Sequence, residues 1–157
     1  MYEFLDETVE GNMTRSVKAV APEMTVGDLY RLFAADDFDA YPVTRGGILV
    51  GMVSKLDALK VFTLTSVGMV PHYDDLMGTT VDEIMTRQAI TVEMDTSLQR
   101  VVQLMSAHRF KSLPVVDRQN RLKGIIARED VMRALTRCTD RRALPLIAPA
   151  VAYFAIA

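Results

Sequence analysis

The chain repeats itself. Sliding its 157 residues by 72 places sets Thr8 on Thr80, Val9 on Val81, Met13 on Met85, Thr14 on Thr86, Phe38 on Phe110 and Pro42 on Pro114, all identities. After a one-residue gap the register continues at 73, where Gly51 meets Gly124 and Asp57 meets Asp130. A register held this long marks duplication of one supersecondary unit. Two such units are expected to cover each other's apolar faces.

Each unit reads in the same order. Val20 and Val92 close short strand-like stretches, and Thr25 to Asp28 and Thr96 to Gln99 then look like capping boxes that open helices. Val26, Leu29, Tyr30 and Phe33 recur at three- and four-residue spacing, as do Leu98, Val101, Val102 and Met105, which gives one apolar face per helix. Tyr41-Pro-Val and Leu113-Pro-Val then pair with Ile48 to Val53 and Leu122 to Ala127 across turns at Gly46-Gly47 and Arg118 to Asn120. A second helix follows at about Lys55 to Leu64 and about Arg128 to Arg137.

The fold class is therefore α/β in the α+β sense, two tandem β-α-β-β-α repeats packed about a pseudo-two-fold axis. The first repeat with its N-terminal segment covers 1–64, a connection 65–79, the second repeat 80–137 and an apolar C-terminal segment 138–157.

Composition narrows the function. Half of the residues are hydrophobic and 24% are charged, as in a globular chain able to bury its own core. Cys138 is the lone cysteine, so an intramolecular disulfide is excluded, and a reducing, cytoplasmic setting is the expectation. Met1 to Glu10 holds four acidic residues and no apolar stretch of the kind a secretory signal carries, and no apolar run is long enough for a membrane span.

A net charge of −2 argues against duplex nucleic acid as partner, and the basic stretch from Arg133 to Arg142 is interrupted by Asp140. His72 and His108 stand in no metal-ligand spacing, Cys138 has no neighbouring histidine, and the glycines form neither a P-loop nor a dinucleotide fingerprint. An enzyme is not expected, and neither a metal nor an obligatory cofactor.

Taken in order and twice over, three motifs carry a resemblance. They are the Val-x-x-x-Met-Thr openings at Val9 and Val81, the Phe-x-x-x-Pro-Val blocks at Phe38 and Phe110, and the glycine strands leading into Asp57 and Asp130. The sequence resembles the CBS domain, named for cystathionine β-synthase, in the tandem arrangement called a Bateman module. The resemblance implies a regulatory module that senses an adenosine-containing ligand, AMP, ADP, ATP or S-adenosylmethionine, in clefts between the repeats. It also implies a homodimer, and either a separate regulated protein or a chain that signals alone.

The resemblance further implies which residues bind. In ligand-binding relatives the glycine strand ends in Ser or Thr, and an Asp three residues later accepts bonds from the ribose hydroxyls. Gly51-Met-Val-Ser54-Lys-Leu-Asp57 matches this pattern, although Ser54 and Asp57 equally form a helix N-terminal box. Gly124-Ile-Ile-Ala127-Arg-Glu-Asp130 keeps the acid and loses the hydroxyl, so Asp130 is either a ribose ligand or a favourable first-turn charge. The two clefts are expected to differ in affinity.

In some relatives a phosphate-binding cation sits just before the Pro-Val block, and the resemblance implies one here. Lys111 and Ser112 stand there in the second unit, with His108 and Arg109 nearby, where the first unit has Asp39 and Ala40. Lys55 and Arg128 are weaker candidates, and apolar residues near Val17 to Val20 and Ile90 to Val92 are candidates to flank an adenine ring or simply to fill the core. The alternative is an interaction module that binds no nucleotide and acts through dimerisation and the apolar segment Ala143 to Ala157.

Overall fold

The computed structural model describes residues 2–63 and 72–140. Leu64, residues 65–71 of the expected connection and the C-terminal segment from Arg141 onward lie outside the described residues. The described elements run α1 (Tyr2–Leu5), α2 (Val26–Ala35), β1 (Ala40–Arg45), β2 (Ile48–Ser54), α3 (Lys55–Lys60), α4 (Tyr73–Gly78), α5 (Val81–Ile84), α6 (Leu98–His108), β3 (Ser112–Val116), β4 (Leu122–Ala127) and α7 (Arg128–Asp140).

Both long helices begin at hydroxyl caps. Thr25 accepts from the Asp28 N–H at 3.2 Å and starts α2, which buries Val26, Leu29 and Phe33. In the second unit the cap is Ser97, which accepts from the Arg100 N–H, and not Thr96 as the capping pattern implies. Thr96 is engaged one turn earlier, where its hydroxyl accepts from the Glu93 N–H and its carbonyl from the Val9 N–H.

β1 and β2 form one antiparallel hairpin, β3 and β4 the other. Gly46 and Gly47 both take positive φ, 59° and 81°, which a two-residue turn needs to match the twist of its strands. The second turn relies on Asp117, whose carboxylate accepts from the Gln119 and Arg121 N–H groups, and on Asn120 at φ 59°. The strand-like stretches before the long helices shrink to single parallel bridges, Val20 to Val43 and Val92 to Val115. The connection is also less irregular than expected, since α4 occupies Tyr73–Gly78.

The two units exchange their openings. One core gathers Leu29, Phe33, Tyr41, Val43 and Val53 of the first unit, but also Val81 and Met85 of the second. The other gathers Leu98, Val101, Leu113, Val115 and Ile126 of the second unit around Val9 and Met13 of the first.

Backbone bonds hold each exchange. Val9 N–H donates to Thr96 O and Leu98 N–H to Glu7 O, mirrored by Val81 to Met24 and Val26 to Thr79. Val9, Val81, Leu98 and Val26 are fully buried, so neither core is complete without the other unit.

Candidate functional site

β2 enters α3 without a loop, because Ser54 both ends the strand and caps the helix. Its hydroxyl accepts from the Asp57 N–H at 3.1 Å, and its own N–H donates to Asp57 Oδ2 at 2.9 Å. This reciprocal box fixes the carboxylate at the mouth of the strand-helix junction. Asp57 Oδ2 is occupied, whereas Oδ1 meets only Lys60 Nζ at 3.4 Å among the described residues.

Two residues earlier, the exchanged opening of the second unit lies against β2. Thr86 N–H donates to Met52 O at 2.8 Å, and Met52 N–H to Thr86 O at 3.0 Å. Gly51 makes this approach feasible: a Cβ there would stand 2.8 Å from both Thr86 O and Met85 Sδ. Gly124 plays the same part opposite Thr14 and Met13.

The crossing leaves a cleft on each side of the pseudo-two-fold axis. The first, of about 590 Å³, is lined by Ser54 and Asp57 of the first unit, by Thr86, Gln88, Ala89 and Ile90 of the exchanged opening, and by Arg109 to Pro114. Met52, Leu56 and Ile90 supply apolar wall. The second, of about 290 Å³, is lined by the equivalent pieces: Asp130, the stretch near Thr14 to Lys18, and Asp37 to Pro42. Asp39, Ala40, Lys111 and Ser112 line both clefts and form their shared wall.

Charge separates the two. The lining of the first cleft holds three cations, Lys55, Arg109 and Lys111, against Asp39 and Asp57. The second holds Lys18, Lys111 and Arg133 against Asp37, Asp39, Glu129 and Asp130.

Every cation of the second cleft is ion-paired, Lys18 with Asp36 at 2.6 Å, Lys111 with Asp39 at 2.9 Å and Arg133 with Asp130. Arg109 and Lys55 have no carboxylate partner among the described residues, although Lys55 Nζ lies 5.9 Å from the Phe33 ring centre. The Lys18 ammonium and the Tyr41 hydroxyl together hold the Asp36 carboxyl below the usual aspartate range.

The acid motifs also differ in availability. Asp130 is 4% exposed, its Oδ2 accepting from the Ala127 N–H at 2.7 Å and its Oδ1 from Arg133. The acidic half of a capping box therefore survives the loss of the hydroxyl at Ala127.

The first cleft thus brings together Ser54, Asp57, Arg109, Lys111 and Ser112, and the second takes Asp130 with the shared Lys111 and Ser112. His108 lines neither. It is the last residue of α6, and its ring stacks on Phe110 at 5.4 Å, while Arg109 turns the chain with a left-handed φ of 58°. Arg128 donates to Phe110 O and serves the backbone. Val17 and Ile90 reach the clefts, but Val20 and Val92 are core.

Sequence reasoning passed over Thr14, Thr86, Asp39 and Arg133 as lining residues. The repeated Met-Thr pair was the signal for the two threonines.

A model of the CBS domain matches residues 7–63 and again 81–137. The CBS domain-containing protein YhcV of Bacillus subtilis is 32% identical over 125 residues, which cover 79% of this chain and 82% of YhcV. Protein MJ1225 of Methanocaldococcus jannaschii is 29% identical over 134 residues, and the chain spans only 47% of its length. The MJ1225 crystal structure superposes with a TM-score of 0.75 over 83% of this chain and 48% of that one, at 27% identity. CBSX2 of Arabidopsis thaliana, crystallised in complex with AMP, superposes with a TM-score of 0.72 at 29% identity over 84% of this chain and 98% of its own. With two matched copies and the same fold, the chain belongs to the CBS domain family, as a tandem pair.

Proposed function

We propose that the protein is a non-catalytic regulatory module that binds one adenosine nucleotide in the larger cleft and signals to a partner protein. One observation carries this reading: a single cleft is lined by Asp57, whose Oδ1 meets only the exposed Lys60 ammonium among the described residues, and by Arg109, Lys111 and apolar wall. A vicinal diol seeks a carboxylate acceptor, a phosphate seeks cations, and an adenine ring seeks apolar surface. Capping and binding are compatible at Asp57, because the helix box engages Oδ2. The AMP complex of CBSX2 supports the ligand class.

The excess of cations favours AMP, ADP or ATP over S-adenosylmethionine, whose sulfonium and ammonium groups would meet Arg109 and Lys111. Thermal unfolding with each ligand in turn tests this. Ligand at 100 times its dissociation constant stabilises the native state by about 2.7 kcal/mol. A phosphate-bearing ligand is expected to raise Tm and S-adenosylmethionine to do so less. No shift with any of them at millimolar concentration would overturn the reading.

A second reading rests on exposed apolar side chains. Leu59 and Phe62 beside α3 are 54% and 44% exposed, and Met132 and Leu135 on α7 are 60% and 43% exposed. Such faces fit docking of a second copy, giving the expected homodimer. Light scattering tests it: a mass of 17.5 kDa at micromolar concentration would count against dimerisation.

A further inference from the structure

We propose that Asp39 limits the protein to one phosphate-bearing ligand per chain, by holding Lys111 at the wall the clefts share and by repelling an anion from the second cleft. The inference rests on the proposed nucleotide reading and assigns the rule by which the clefts are filled.

Asp39 and Lys111 occupy equivalent positions of the repeat, each three residues before the proline of its Pro-Val block. Equivalent positions near a pseudo-two-fold axis face one another, and here they carry opposite charges 2.9 Å apart. Both side chains are more than half exposed, so the pair is weak and Lys111 can leave it at little cost.

A phosphate entering the first cleft beside Arg109 takes Lys111 as a second cation. Asp39 is then left without its partner on the wall of the second cleft, beside Asp37 and Glu129. The other cations of that cleft, Lys18 and Arg133, are already held by Asp36 and Asp130. A second phosphate would therefore meet bare carboxylates and no free cation among the described residues. Occupancy of one cleft disfavours anion binding in the other, which is a coupling between sites carried by one side chain.

Isothermal titration of the full chain with AMP, for wild type, Asp39→Asn and Lys111→Gln, tests this. The wild type is expected to take one AMP, with any second event at least about fivefold weaker. Asp39→Asn should tighten the first event by up to about fivefold and reveal a second. Lys111→Gln should weaken the first event and reveal no second, because Asp39 remains.

Two equal AMP sites in the wild type, or an Asp39→Asn variant with unchanged affinity and stoichiometry, would overturn the proposal while leaving the nucleotide reading intact. No AMP binding by any of the three would overturn both.

Discussion

Lys111 Nζ lies 2.9 Å from Asp39 Oδ1, joining two positions that the repeat makes equivalent and the sequence makes opposite in charge. Duplication produced two clefts with one plan, and side-chain divergence at a few places made them unlike. The same divergence separates Ser54 from Ala127 and the half-buried Asp57 from the buried Asp130. What distinguishes the clefts can therefore be tested position by position.

Ala127→Ser should restore the missing half of the second capping box. The Asp130 carboxylate already accepts from the residue 127 N–H, and a hydroxyl would add an acceptor for the Asp130 N–H. The expected gain is about 0.5 to 1 kcal/mol in urea unfolding. An unchanged or lower midpoint would show that the junction of β4 and α7 cannot adopt the geometry of β2 and α3.

Arg109 ends α6 in the left-handed region, where glycine is the unstrained choice. Arg109→Gly should raise the stability of the unliganded protein by about 1 kcal/mol and weaken AMP binding through loss of a cation. Isothermal titration beside chemical unfolding measures both. Equal AMP affinity in the variant would remove Arg109 from the phosphate site.

Gly51→Ala places a methyl group 2.8 Å from the Thr86 carbonyl, where the exchanged strand must give way. A loss of about 1 to 3 kcal/mol is expected, against at most about 0.5 kcal/mol for Gly78→Ala, whose Cβ would meet nothing within 4 Å. Equal effects at the two glycines would contradict the close crossing.

These substitutions also show what the sequence made legible. The Thr25 cap and the Ser54 to Asp57 box are local patterns, and each appears as a physical contact. The exchange of openings was not legible: Val9 and Met13 read as apolar positions, but periodicity does not say whose core they enter. Gly51 and Gly124 stood out only as matching residues, since the carbonyls that demand them belong to the other unit. The ion pair of Asp39 with Lys111 was hidden for the same reason, because the repeat aligns the two without bringing them together. Thr96 misled because two adjacent hydroxyls offered two caps, and the strand exchange decided between them.

Acid should loosen the fold through carboxylates that are stabilised when charged. Hydrogen bonding by Lys18 and Tyr41 lowers the Asp36 value, Arg87 lowers that of Asp82, and the Arg121 N–H lowers that of Asp117. Each contributes stability that is present above the unfolded aspartate value of about 3.9 and is lost as pH falls through the lower folded value. Asp36→Asn should flatten the pH dependence of the urea midpoint below pH 4. A slope identical to wild type would remove Asp36 from acid unfolding.

The most direct measurement is a crystal structure of the protein grown with AMP. The expected result is one nucleotide in the larger cleft, its ribose hydroxyls on Asp57 Oδ1 and its phosphate between Arg109 and Lys111, with Asp39 released. Empty clefts at millimolar AMP, or a nucleotide only beside Asp130, would contradict the assignment.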